Sequence, residues 1–216
     1  MSLELYTFWR SSASYRVRIA LNLKALPHEN HAVNLTKDGG EQFGDKYRAV
    51  NPQSRVPTLI HDGQRFAQSL AIIEYLDEVF PGNKLIPKDP VDRARVRMLS
   101  QIIACDIQPL QNTSTTKYLR EKLGLSDAAI ADWLREWITR GLDAFSAQVE
   151  RDHLNSKFCH GDTPTMADCC LVPQMYAADR FGVPATRYPR LALITENCNA
   201  LAAFQHAHPS KQIDAQ

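Results

Sequence analysis

The sequence predicts an α/β segment followed by an all-helical one, and three observations carry that prediction. Short β-prone runs alternate with helical runs up to residue 81, prolines and glycines gather over 81–90, and beyond them every apolar periodicity is helical. The expected organisation is therefore 1–81, a linker over 82–90, and a helical bundle over 91–216.

The first element is Leu3-Glu4-Leu5-Tyr6-Thr7-Phe8, whose alternation and aromatic content favour a strand. Ser11 or Ser12 can cap the helix that follows; its apolar face includes Val17, Ala20 and Leu21, and Pro27 limits its length. Ala32, Val33 and Leu35 predict a second strand, and Lys37-Asp38-Gly39-Gly40 a turn leading into a short helix. Val56 to Ile60, the Asp62-Gly63 turn and Arg65-Phe66 predict an antiparallel hairpin. Ile72, Ile73, Leu76, Val79 and Phe80 form one helical stripe, which Pro81-Gly82 ends.

Past the linker prolines Pro87 and Pro90, Val96, Leu99 and Ile103 predict a long helix. A second runs through Ile130, Trp133, Leu134, Trp137, Ile138, Leu142 and Phe145. Thr165-Met166-Ala167-Asp168 has the spacing of a capping box and marks the start of another.

Composition narrows the function. With 25 basic and 24 acidic side chains the net charge is +1, so no bulk field favours nucleic acid or an anionic membrane. No apolar run approaches the roughly 20 residues of a membrane span. Met1 to Arg10 fits neither a signal nor a transit peptide, and a cytoplasmic protein is expected. Cys105, Cys159, Cys169, Cys170 and Cys198 form no CxxC pair and no zinc-ligand spacing, so plain thiols and no metal are expected.

Anion binding must then be local. Arg10 to Arg16 lies between the first strand and the first helix, where free amides and the helix dipole favour an anion. Hydroxyls of Ser11 and Ser12 would donate to it, and a thiolate placed there would have its pKa lowered; alternatively these serines only cap the helix. Val56 precedes a proline in a strand-like run, which implies an edge or a cis peptide and leaves backbone groups open to an extended ligand. Gln68 and Ser69 begin a second helix, as carboxylate donors or as a simple cap. Together these features suit a small peptide-like ligand bearing a thiol and carboxylates.

The stretch from Ser11-Ser12-Ala13-Ser14-Tyr15-Arg16 through Leu21 resembles the signature of zeta-class glutathione transferases, the family of maleylacetoacetate isomerases. The resemblance continues through Lys37 to Phe43, Asn51-Pro52, Val56 to Leu59, Gln68 to Leu76, Gln108 to Asn112, and Gly161 to Asp168. It covers almost the whole chain. It implies a thioredoxin-like amino-terminal domain with a mixed four-stranded sheet, an all-helical carboxyl-terminal domain, and a homodimer.

The resemblance also implies site residues. Ser11 and Ser12 would hold the glutathione sulfur, with Arg10 beside them and Ala13, Ser14, Tyr15 and Arg16 in the same motif. Gln42 and the Val56 backbone would bind along the cofactor, and Gln68 and Ser69 would take its γ-glutamyl end. Gln108, Asn112, Thr113 and Ser114 would complete the pocket. Arg10 and Arg180 are the cationic candidates for a small dicarboxylic acid substrate, because guanidinium suits bidentate carboxylate binding; the alternative for each is a surface charge.

The implied chemistry is cis–trans isomerisation of maleylacetoacetate by reversible thiolate addition. Maleylpyruvate isomerisation and general transferase activity are the nearest alternatives, and a non-enzymatic binding module is one of another class. Some maleylpyruvate isomerases carry His and Arg where this chain has Gln108 and Ser114, which favours maleylacetoacetate. Ala13 stands where the family usually has cysteine, which removes a thiol near the cofactor but not the nucleophile, since that belongs to glutathione.

Overall fold

The structure, a computed structural model, describes residues 2–151 and 156–215. The chain forms two compact units, Met1–Ile86 with Asn199–Gln216, and Pro87–Cys198.

The first unit is built on β1 (Leu3–Thr7), α1 (Ser12–Leu23), β2 (Glu29–Ala32), α2 (Asp45–Arg48), β3 (Thr58–His61), β4 (Gln64–Ala67) and α3 (Ser69–Val79). The strand order is β2-β1-β3-β4. β1 runs parallel to β2, while β3 is antiparallel to both β1 and β4, so the sheet is mixed. Leu5 pairs with Asn30 on one side and Leu59 on the other, in the middle of the sheet. Leu5, Leu59, Val17, Ala20, Leu21, Ile72, Ile73 and Leu76 are all buried, and α1 packs against α3. Each large aliphatic among them stabilises the unit by about 1.5–3 kcal/mol. Asp62 and Gly63 both take positive φ in the β3–β4 turn, the conformation a two-residue hairpin needs.

The second strand lies earlier than the apolar residues suggest. β2 is Glu29–Ala32, and Val33 and Leu35 follow it. An edge strand satisfies its backbone along one side only and needs no apolar side chains of its own. Val33 instead joins Phe8, Tyr47 and Val56 in a buried cluster, with Leu35 packed against it.

The second unit contains α4 (Pro90–Gln101), α5 (Gln108–Gln111), α6 (Thr113–Glu121), α7 (Asp127–Arg151), α8 (Met166–Arg180) and most of α9 (Pro189–Asn199). Asp89 caps α4 by accepting the Val91 and Asp92 amides at 2.8 and 3.1 Å. The long helix expected around Ile103 is not uniform: Ile102–Ile107 widens into a π-helical turn before α5. Opposite it stands Gly141 of α7, where a Cβ would lie 2.1 Å from Ile107 Cγ1. The absence of that carbon lets α7 approach the turn.

α8 is buried along nearly its whole length, and its start is the expected capping box. The Asp168 carboxylate accepts Thr165 N at 2.8 Å, Thr165 Oγ1 at 2.9 Å and Cys159 N at 2.8 Å. Burial raises its pKa against the opposing effect of these bonds. All five cysteines are free thiols, with Cys105 exposed and the other four buried. Among the described residues no helix is long and apolar enough to cross a membrane.

The ends of the sequence-defined domains differ from the units observed. Residues 83–86, read as linker, are tied to the first unit: Asp77 Oδ1 accepts the Leu85 amide at 2.9 Å and the Lys24 ammonium at 3.2 Å. Lys24 also donates to Asn83 O at 3.1 Å. Residues 199–216, assigned from sequence to the helical domain, belong to the first unit as well. There α10 (Ala202–Ala207) packs on α1, burying Phe204 and Ala207. Asn22 Nδ2 donates to Ala203 O at 2.9 Å, and Arg18 Nε to Ala207 O at 3.1 Å. Helical periodicity identifies such a segment as a helix without saying which apolar surface it will cover.

Candidate functional site

The β1–α1 turn brings the serine motif to a helix N-terminus. Ser11 N donates to Phe8 O at 3.0 Å, and Ser11 has the extended backbone of an N-cap. Its Oγ accepts the Ser14 amide at 3.2 Å. A hydroxyl has one hydrogen and two lone pairs, so a capping oxygen retains its hydrogen for a ligand. The capping and the anion-binding readings of Ser11 are therefore compatible. The first turn of α1 carries no acidic residue of its own to neutralise the positive helix end.

Ser12 and Ala13 lie part-exposed beside Ser11, whereas Ser14, Tyr15 and Arg16 are buried. Arg16 Nη1 donates to Ser69 Oγ at 3.2 Å, with both residues buried. Two helix starts, one at Ser11 and one at Ser69, are thus joined within one unit.

Gln68 precedes α3 with φ +70° and ψ 114°. Only one residue separates β4 from α3, and turning the chain there forces a left-handed φ that costs a non-glycine residue on the order of 1–3 kcal/mol. Its Nε2 donates to Gln53 Oε1 at 3.0 Å, a partner that the sequence did not single out.

Val56 is positioned by polar groups on both sides. The Val56–Pro57 peptide is cis. Just before it, Arg55 O accepts Tyr47 OH at 2.6 Å and Asn51 Nδ2 at 2.8 Å. Just after it, Thr58 Oγ1 lies 3.0 Å from each of those same atoms. Burial holds the Tyr47 phenol above its ordinary pKa, which keeps it a donor. Asn51-Pro52 was legible only as part of the family resemblance, and the brace that Asn51 makes around Val56 was not.

Gln42 lies folded over Gly40, which has φ +108° and where a Cβ would come within 2.5 Å of the Gln42 amide. Gln42 Nε2 donates to Leu35 O at 3.5 Å, while its buried Oε1 has no hydrogen-bond partner among the described residues. A buried amide oxygen left open in this way is a ready acceptor for a ligand N–H.

In the second unit the predicted residues cluster along the segment that follows the π turn. Gln108 starts α5, where Gln111 Nε2 reaches its Oε1 at 3.5 Å. Gln111 is itself fixed by a reciprocal amide pair with buried Gln174, at 2.9 and 3.1 Å. Asn112 caps α6: its Oδ1 accepts Ser114 N and Ser114 Oγ, each at 2.9 Å, with Thr113 exposed between them. Trp133 Nε1 donates to Leu110 O at 2.9 Å and holds this segment to α7. Arg180 is the exposed last residue of α8, with its guanidinium 4.7 Å from the Phe181 ring centre. In the first unit, exposed Arg10 lies 5.2 Å from the Trp9 ring centre.

Comparison with known proteins identifies the family. The family model for the glutathione S-transferase N-terminal domain matches residues 5–84. The maleylacetoacetate isomerase of Pseudomonas aeruginosa is 44% identical over 98% of this chain and 98% of its own length. A holo structure of a zeta-class maleylpyruvate isomerase has a TM-score of 0.95 and 45% identity, covering 99% of this chain and 100% of that one. The maleylacetoacetate isomerase of Anaeromyxobacter dehalogenans, solved with glutathione bound in its active site, has a TM-score of 0.88 and 45% identity, covering 100% and 98%. With this sheet, this capped serine motif and similarity over its full length, the chain belongs to the zeta-class glutathione transferases, the family that includes the maleylacetoacetate and maleylpyruvate isomerases.

Proposed function

We propose that this protein is a glutathione-dependent cis–trans isomerase that converts maleylacetoacetate to its trans isomer. The observation that carries the reading is Ser11: it caps α1, and its hydroxyl hydrogen is available where the helix dipole favours an anion. Full-length relatives named maleylacetoacetate isomerase support the substrate.

The residues present fit glutathione. Ser11 and Ser12 suit its sulfur, the backbone of Val56 its extended peptide, and open Gln42 Oε1 one of its N–H groups. Ser69, whose oxygen is taken by Arg16, is left to donate its hydrogen to a carboxylate, with Gln68 next to it. Bound glutathione supplies a thiolate whose reversible addition to the cis double bond permits rotation before elimination. Ser11 acts as a donor that stabilises negative charge on sulfur, lowering the thiol pKa, and not as a nucleophile. Arg10 and Arg180 are the proposed carboxylate anchors, orienting the double bond toward sulfur. Gln108, Asn112, Thr113 and Ser114 are the proposed contribution of the helical domain. A cytoplasmic homodimer completes the reading.

Maleylpyruvate is the second reading, favoured by the TM-score of 0.95 to an isomerase of that substrate. The test is turnover of each acid with and without glutathione, for the wild type and Ser11→Ala. Glutathione-dependent turnover that falls sharply in Ser11→Ala is the expected result, and the faster acid identifies the substrate. No turnover of either acid would sink the isomerase reading and leave a general transferase or a binding module.

A further inference from the structure

The turn that carries Ser11 is held from behind by residues far away in sequence. Arg18, 2% exposed, spreads its guanidinium over it: Nη2 donates to Trp9 O at 2.9 Å, and Nη1 to Phe8 O at 3.3 Å and Thr7 Oγ1 at 3.0 Å. Its Nε reaches Ala207 O, on the carboxyl-terminal α10. Past α10, Asp214 Oδ2 accepts the Trp9 amide at 3.0 Å across 205 positions of sequence. Both the N–H and the C=O of Trp9 are therefore pinned, one by Asp214 and the other by Arg18. Phe8 O is shared by Arg18 and the Ser11 amide, so the backbone leading into Ser11 has little freedom to shift.

Two further features show that the arrangement is built. A guanidinium this well buried is costly unless its donors are matched, and here three carbonyls and a hydroxyl match them, with the Asp214 carboxylate close enough to favour the cation. The tail is itself ordered around the same place: the Tyr15 and His208 rings meet edge to face at 6.1 Å, and Gln212 Nε2 donates to His206 O and His208 O, each at 3.0 Å.

We propose that Asp214 and Arg18 are positioning residues for the reaction, holding the Trp9–Ser11 turn so that the Ser11 hydroxyl and the first amides of α1 converge on one point. This rests on the reading of Ser11 as the donor to glutathione sulfur. The carboxyl-terminal tail is then part of the thiol-activating machinery, although it touches neither cofactor nor substrate. Nothing in the local sequence around Ser11 would indicate this dependence.

The experiment compares Asp214→Ala with Asp214→Asn in the full chain. Asparagine keeps an oxygen to accept the Trp9 amide, and alanine does not. The readouts are kcat, the KM for glutathione, and the pH at which bound glutathione ionises, followed through thiolate absorbance. The expected result is a fall of about ten-fold in kcat/KM for Asp214→Ala, the scale of one hydrogen bond to a charged group, with ionisation moved to higher pH. Asp214→Asn should recover most of both. Equal kinetics and equal ionisation in the two variants and the wild type, whatever their melting temperatures, would overturn the proposal. Ser11→Ala is measured alongside: if it retains wild-type ionisation of bound glutathione, the reading of Ser11 fails, and that failure is independent of the Asp214 result.

Discussion

The Arg16 guanidinium donates to Ser69 Oγ at 3.2 Å across 53 positions of sequence, joining the first turn of α3 to a buried residue of α1. The bond occupies an oxygen lone pair of Ser69 and leaves its hydrogen for the carboxylate proposed above. Arg16→Lys keeps the charge but loses the planar fork, and should raise the glutathione KM about ten-fold. Ser69→Ala should do the same. Because the two act through one bond, the double variant should lose little more than either single one, and steady-state kinetics arranged as a double-mutant cycle checks this.

Ser11→Asp separates capping from catalysis. Aspartate caps as well as serine and adds a charge that suits the helix dipole, so the unfolding free energy should stay within about 0.5 kcal/mol of wild type or rise. A carboxylate beside the sulfur disfavours thiolate, so turnover should fall by roughly ten- to hundred-fold. Denaturant unfolding and turnover, measured on the same preparation, test the pair of expectations. A variant that kept its activity would remove Ser11 from the sulfur site.

Gly141→Ala should destabilise the protein, although helix propensity favours alanine by about 1 kcal/mol. A Cβ 2.1 Å from Ile107 Cγ1 forces the Ile107 side chain out of its rotamer or α7 away from the π turn, an overpacking that costs about 1–3 kcal/mol. The clash exceeds the propensity gain. Pairing Gly141→Ala with Ile107→Ala opens the space the new carbon needs, so the double variant should be more stable than the sum of the two single losses, as thermal or urea unfolding would report.

Acid should weaken the first unit through His208. Burial, then the nearby Arg18 and Lys211 cations, hold its imidazole below the ordinary value of 6.5. The neutral ring accepts the Ser210 amide at its Nδ1, at 3.2 Å. Below pH 6.5 the unfolded chain binds a proton there that the folded chain resists. The stability linked to the neutral ring is thus complete above 6.5 and is lost as the pH falls from there through the folded value. His208→Asn should flatten the decline of melting temperature over that acid interval. An unchanged profile would assign the decline to other groups.

Much of this architecture was legible because it follows from local geometry. The stripe of Ile72, Ile73, Leu76 and Phe80, from which Val79 departs by being exposed, the Asp62-Gly63 hairpin turn and the Thr165/Asp168 capping box depend on residues within a few positions of one another. The serine motif was legible in the same way, since a helix cap needs only Ser11 and the three residues after it. β2 was misplaced because an edge strand of Glu29, Asn30 and His31 is specified by pairing with β1 and not by its own side chains. The π turn at Ile102–Ile107 escaped notice because the apolar spacing around Ile103 is equally consistent with a regular helix. Its signal, a glycine in the middle of α7, acquires meaning only once α7 is placed beside it.

The sequence by itself determined the alternation of strands and helices in the first 81 residues and the helical character of the rest, the two helix starts at Ser11 and Ser69, and the family to which the chain belongs. The tertiary structure decided which distant groups stand behind those starts: Arg16 at Ser69, Asn51 and Tyr47 around Val56, and Arg18 and Asp214 at Trp9. It also decided that residues 199–216 pack with the sheet-containing unit. The physical reason is that period and capping are short-range properties written into neighbouring residues. The partner of a buried guanidinium or carboxylate is selected by the whole core, since a buried charge is costly unless it finds a match wherever the folded chain brings one within reach.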